Sequence, residues 1–465
     1  MVDCLLLLGL ARRMLRAGGD SGRQTVRRVL FVALAVMGSA CGPVDWPMFR
    51  FESRRSGSSP DTSLSAAAVG SSMVLGWTAT TGSGVDSSPA VANGVVYVGS
   101  NDQKLYAFDA SGSAGCAGTP KACAPLWSAL TGGGVVSSPA VGNGVVYVGS
   151  WDGNLYAFDA AGKTNCTGSP KTCQPVWTAS TGSLVDASPT VANGVVYIGS
   201  FDHKLYAFDA AGSRNCNGTP TICQPLWTAA TGGAVDSSPA VASGVVYVGS
   251  SDHRLYAFDA AGSTGCSGAP TTCAPLWSAI TGDSVSSTPA VDNGVVYVGS
   301  FDHKLYAFDA AGASGCAGTP KVCTPLWSAA TGDIVHSSPA VANGVVYIGS
   351  FDHKLYAFDA TGTANCAGTP KACQPLWTAA TGGAVRSSPA VANGVVFVGS
   401  DDHKLFAFDA SGSTGCSGTP KLCTPLWSGA TGFLVFSSPA VANGAVYVGS
   451  EDDRLYVFTL NQPRV

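Results

Sequence analysis

Three sets of residues in this chain recur at fixed intervals and could do chemistry: fourteen cysteines, eight aspartates and five histidines. The cysteines form seven pairs, each seven residues apart: Cys116 and Cys123, Cys166 and Cys173, Cys216 and Cys223, Cys266 and Cys273, Cys316 and Cys323, Cys366 and Cys373, Cys416 and Cys423. Each pair brackets a CAGTPKAC-like loop. A structural zinc site needs four ligands and each loop offers two thiolates, so metal binding is the weaker reading. One local disulfide per loop is expected instead, in an oxidising compartment. Each would contribute about 2.5 kcal/mol in the chain-entropy account. The aspartates at 102, 152, 202, 252, 302, 352, 402 and 452 suggest a ring of carboxylates. An Asx turn in each of eight identical hairpins explains them equally and asks for less. His203, His253, His303, His353 and His403 occupy one position in five successive repeats. Neighbours in such a ring would stand ~8–10 Å apart, whereas zinc takes its nitrogens at about 2 Å. Turn residues are therefore expected, and no metal or cofactor.

The elements that position these groups come from one unit repeated every fifty residues. Its tyrosine recurs at 97, 147, 197, 247, 297, 347 and 447, with Phe397 in the same register. In the unit around Tyr297, Val295–Val298 is a β-branched and aromatic run fit for a buried strand. Asn293-Gly294 before it tolerates positive φ and closes a hairpin. Leu305–Asp309 and Pro325–Ala329 read as two more strands. Ser337–Val341 is the fourth, and its Pro339 places it at a sheet edge. Four short antiparallel strands without a helix describe a propeller blade, and eight copies an all-β, eight-bladed ring.

The block YVGSFDHKLYAFDA followed by Trp327 resembles the pyrroloquinoline-quinone-type (PQQ-type) propeller repeat. The resemblance covers about residues 73–460 and implies the fold. It implies less about activity, because enzymes, scaffolds and sensors share the repeat. Outer-strand tryptophans stand at 77, 127, 177, 227, 277, 327, 377 and 427, and Trp77 has no earlier repeat of its own. The Trp77 strand is therefore expected to complete the last blade beside Leu455–Phe458 and close the ring. That closure interrupts the eighth cysteine loop, which accounts for seven pairs in eight repeats.

Residues 1–41 read as an export signal. Arg23, Arg27 and Arg28 precede the apolar run 29–37, then Gly38-Ser39-Ala40-Cys41. Ser39-Ala40-Cys41 is similar to a bacterial lipobox, with Gly38 where Leu is preferred, which makes Cys41 a lipidation candidate. Translation could also begin at Met14. Removing residues 1–40 leaves 19 basic against 27 acidic residues, a net charge of −8. Without a basic stripe, nucleic acid is excluded as a partner. Residues 42–72 are expected to be an N-terminal extension and connector, with residues 45–50 lying against the ring and 53–68 a polar connector, and residues 461–465 a tail.

Framework positions repeat almost unchanged, and variation collects on the face bearing the GSxDxx turns. The residues opening the fourth strand run Asp86, Val136, Asp186, Asp236, Ser286, His336, Arg386 and Phe436. Trp151, Phe201, Phe301 and Phe351 vary beside them and could stack on a sugar. Arg386 and His336 could hold an anionic group of a ligand or partner. The function expected is that of an exported, non-enzymatic binding or scaffold propeller, periplasmic, secreted or held at the outer membrane. The resemblance extends to outer-membrane assembly lipoproteins of this fold. The alternatives are a carbohydrate-binding adhesin and a quinoprotein dehydrogenase. The latter class carries adjacent cysteines, long insertions and a calcium site, and this sequence has no two adjacent cysteines.

Overall fold

The computed structural model describes residues 44–461, so the signal and lipidation expectations at 1–41 lie outside the described residues. Residues from Asp45 onward form one unit, a ring of eight blades. In the first blade the strands run inner to outer as Ala90–Ala92, Val95–Ser100, Lys104–Asp109 and Trp127–Leu130, all antiparallel. Among the described residues no helix is long and apolar enough to cross a membrane.

The core lies between blades. The Tyr97 hydroxyl crosses to the Ala160 carbonyl of the next blade at 2.9 Å, and its ring packs 5.9 Å from Trp127. The same bond recurs from every blade but the seventh, where Phe397 has no hydroxyl, and Tyr447 reaches Ala110 at 3.0 Å to join blade eight to blade one. Closure is also covalently remote but physically direct at the outer edge. Met73–Thr80 pairs antiparallel with Arg454–Leu460, Trp77 opposite Val457.

Each blade is broader than the four strands expected. The cysteine loop of one blade is itself a two-stranded hairpin, and it docks parallel to the outer strand of the preceding blade. Thr172 and Cys173 sit opposite Ser128 and Ala129, for example, which makes a six-stranded sheet. All seven cysteine pairs are disulfides, each closing its own hairpin. The sequence shows the loop but not its neighbour, so the latch was invisible there. An aspartate caps each loop, as Asp109 does through the amides of Ser113 and Ala114 at 3.0 and 2.7 Å. Blade seven has no following cysteine loop to latch it. The short helix Ala66–Ser72 covers that edge instead, N-capped by Ser65, with Val69 buried against Leu426 and Trp427.

The extension is not the polar connector expected over 53–68. Residues 45–61 make a circuit of the central channel. The segment enters at blade one, where Asn93 N donates to Asp45, and leaves at blade eight, where Gly444 N donates to Asp61. Between these points the inner-strand amides of Val91, Val141, Val241, Val291, Val341 and Val391 donate to its carbonyls at 2.7–2.9 Å. These amides lie on the free edge of each sheet, and the segment satisfies them. Arg55 reaches the carbonyls of Pro239 (3.0 Å), Ser188 (3.1 Å) and Pro189 (2.9 Å), and also Phe49 O and Thr190 Oγ1. Arg50 binds Pro389 O at 2.8 Å and Pro339 O. Burial lowers both guanidinium pKa values to about 9, so both remain charged at neutral pH.

Candidate binding site at the channel mouth

The residues leading into each inner strand face the channel at alternate positions. Asp86, Val136, Asp186, Asp236, Ser286, His336, Arg386 and Phe436 form the upper ring of a blind cavity of about 290 Å³. The second ring is Ser88, Ser138, Ser188, Ser238, Thr288, Ser338, Ser388 and Ser438, and Phe49 of the extension is the floor. The residues between point the other way, as Ser87 does, donating to Ser137 O at 3.2 Å and accepting from Gly99 N at 3.0 Å. The lower ring is closed by its own bonds. Ser88 N donates to Ser138 Oγ at 2.9 Å, and so on around to Ser438 N on Ser88 Oγ at 2.8 Å.

The mouth carries more acidic than basic groups, and Arg386, expected with His336 to hold an anion, already has a partner within the protein. Arg386 Nε donates to Asp401 Oδ2 at 2.9 Å, and its guanidinium lies between the rings of Phe351 (4.8 Å) and Phe436 (4.6 Å). Its charge is thus matched within the protein. His336 is flanked by Phe301 and Phe351 at 5.9 and 6.4 Å. Enclosure within the mouth lowers its pKa, with Arg386 adding to this and Asp236 opposing. Asp186 is pushed up by desolvation and by the charges of Asp236 and Asp86, against a hydrogen bond from Trp151 Nε1. The charges left uncompensated are therefore carboxylates on blades one, three and four.

Beside Asp86 stands Glu451 of blade eight. A shared hydrogen bond with Asp86, desolvation and the neighbouring negative charge push its pKa up to about 8. A carboxyl whose pKa is raised on folding stabilises the fold fully below its unfolded value, near 4.3, and loses that contribution as pH rises through the folded one. Melting temperature should accordingly fall between about pH 5 and 8, and Glu451→Gln should flatten that slope. An unchanged slope by scanning calorimetry would show that the pair shares no proton.

The remaining expected site residues divide. Phe351 lines the cavity, and Trp151 and Phe301 touch mouth residues, but Phe201 is not among its lining. The eight-aspartate series builds turns: Asp102 accepts from Lys104 N at 3.1 Å, Gly82 N at 3.0 Å and the Tyr106 hydroxyl at 2.5 Å. The five histidines sit at φ of 67–69° in those turns, where their carbonyls accept from the next threonine, as His203 does from Thr231 at 2.9 Å. Phe49 and the serine ring were missed. The serines read as invariant framework, and nothing local places residue 49 in a channel 300 residues away in sequence.

The family model described as outer membrane protein assembly factor BamB matches residues 74–264, 268–365 and 324–462. No curated protein sequence matches the chain. Among solved structures, BamB from Moraxella catarrhalis is 15% identical with a TM-score of 0.60, covering 84% of this chain and 99% of that one. Quinohemoprotein alcohol dehydrogenase from Comamonas testosteroni is 16% identical with a TM-score of 0.63, covering 90% and 82%. The computationally designed Ika8 protein is 14% identical with a TM-score of 0.61, covering 83% and 99%. At these identities the neighbours share the fold, and it is the family match over most of the ring that assigns the chain: it belongs to the BamB-like family of PQQ-type propellers.

Proposed function

We propose that this protein is an exported, non-enzymatic binding propeller that engages its ligand or protein partner through the mouth face. One observation carries the reading. The eight equivalent residues from Asp86 to Phe436 differ in charge and bulk from repeat to repeat, and the fold gathers them around one cavity above a ring of seven serines and Thr288. The seven disulfides fit an oxidising compartment. A lipid anchor at Cys41 would tether the opposite face, because Asp45 enters the ring at the Asn93 hairpin. The mouth would then point away from the membrane.

A quinone cofactor fits this site poorly. Pyrroloquinoline quinone carries three carboxylates, and the mouth would meet them with Asp86, Asp186 and Asp236 while Arg386 is held by Asp401. Titration with the quinone and calcium should leave its spectrum unperturbed, and a saturable change would favour the dehydrogenase reading. The direct test places a photo-crosslinking residue at Phe436 or, on a cysteine hairpin, at Ile222. Crosslinks in the native envelope are expected from position 436. Crosslinks from 222 alone would contradict the proposal.

A further inference from the structure

The cavity has a second polar layer whose chemistry is the reverse of its rim. Each hydroxyl of the serine ring takes an amide proton from the neighbouring blade. None of their own protons has an acceptor among the described residues. These side chains are at most 8% exposed and line the cavity. They are hydrogen-bond donors aimed at the channel axis.

Behind them lies positive charge. Arg55 sits 5.5 Å from the Phe49 ring centroid, on the floor of the cavity. Arg50 shares a narrow crevice with Ser88, Ser388 and Ser438, is 3% exposed, and its Nε has no partner. The protein partners of both guanidiniums are neutral oxygens. A buried cation without an anion leaves a positive potential that water does not screen well. The channel is thus polarised along its axis: donors and guanidinium charge at the bottom, carboxylates of Asp86, Asp186 and Asp236 at the top.

We infer that the mouth binds a small zwitterion, its carboxylate among the serine hydroxyls and its ammonium among the rim aspartates. The inference rests on the mouth being the binding site and adds the class of ligand. The two layers are two residues apart in the segment leading into each inner strand, a span of at most about 7 Å. That separation exceeds the spacing of the two charges in an α-amino acid and suits the two ends of a dipeptide. The cavity volume of about 290 Å³ holds a ligand of that size and little more. Phe49, Phe351 and Phe436 supply apolar surface for short side chains.

Calorimetric titration of the intact ring with alanyl-alanine tests this. Saturable binding is expected, weakened at least tenfold by acetylating the amine, by amidating the carboxylate, or by the Asp186→Asn, Asp236→Asn pair. Asp→Asn preserves shape, and equal melting of parent and variant would exclude misfolding. Absence of binding by the dipeptide, equal binding of the blocked forms, or preference for spermidine or for a neutral disaccharide would each overturn the inference. If position 436 crosslinks a partner while the dipeptide fails to bind, the ligand class is wrong and the mouth-face reading survives. If neither occurs, both fall.

Discussion

A chain lacking residues 1–80 should not fold into a stable ring. The strand Met73–Thr80 is the outer partner of Arg454–Leu460, and its removal bares seven residues of unpaired edge in blade eight. It also removes Trp77, 3% exposed and packed 6.4 Å from Tyr447 at the seam. Loss of one buried tryptophan costs about 3–5 kcal/mol, against a typical margin of about 5–15 kcal/mol for a whole domain. The exposed edge is also a template for other chains. The expected outcome is aggregation and loss of the cooperative melting transition. A monomeric truncated protein that melts like the parent would refute this closure of the ring.

Substitution of Arg55 by Ala is expected to be the most damaging single change in the channel. It strips donors from four carbonyls and from Thr190 Oγ1, drawn from blades three and four and from the extension itself. Each buried acceptor left without its donor costs about 1–3 kcal/mol. Arg55→Lys should recover little, because a single ammonium cannot replace the planar fork that serves several acceptors. Arg50→Ala should cost less, since two carbonyls depend on it. Thermal unfolding with Arg55→Ala inside about 0.5 kcal/mol of the parent, the range of an ordinary surface change, would mean that residues 45–61 decorate the channel rather than plug it.

The ring was legible because every cue for it is local and repeats eight times. Asn-Gly, the β-branched run and the Pro at the edge strand each specify a nearby backbone conformation, and Trp77 without its repeat specifies the closure. The aspartate and histidine series were legible for the same reason: one residue per identical turn follows from turn geometry. What could not be read depends on pairs distant in sequence. The cysteine hairpins docking on the preceding blade, Asp401 matching Arg386, and Glu451 beside Asp86 all arise only once blades adjoin. The largest miss was the pair Arg50 and Arg55. Arg55, in a Ser- and Arg-rich stretch, reads as solvated linker, and only a channel lined with proline carbonyls gives it and Arg50 a reason to be buried. The pairing of Arg386 is illegible for the same reason, because Arg386 looks free until Asp401 is placed beside it.

Recognition is proposed to belong to the mouth and not to the repeated framework. Its most direct test is the Asp86→Asn, Asp186→Asn, Asp236→Asn protein, compared with Ile222→Ser on a cysteine hairpin, both first shown to melt like the parent. Whatever co-purifies or crosslinks with the parent in its native envelope should be lost from the triple variant and kept by Ile222→Ser. If the triple variant retains it and Ile222→Ser loses it, the binding surface is the hairpin side of the ring and the central claim is wrong.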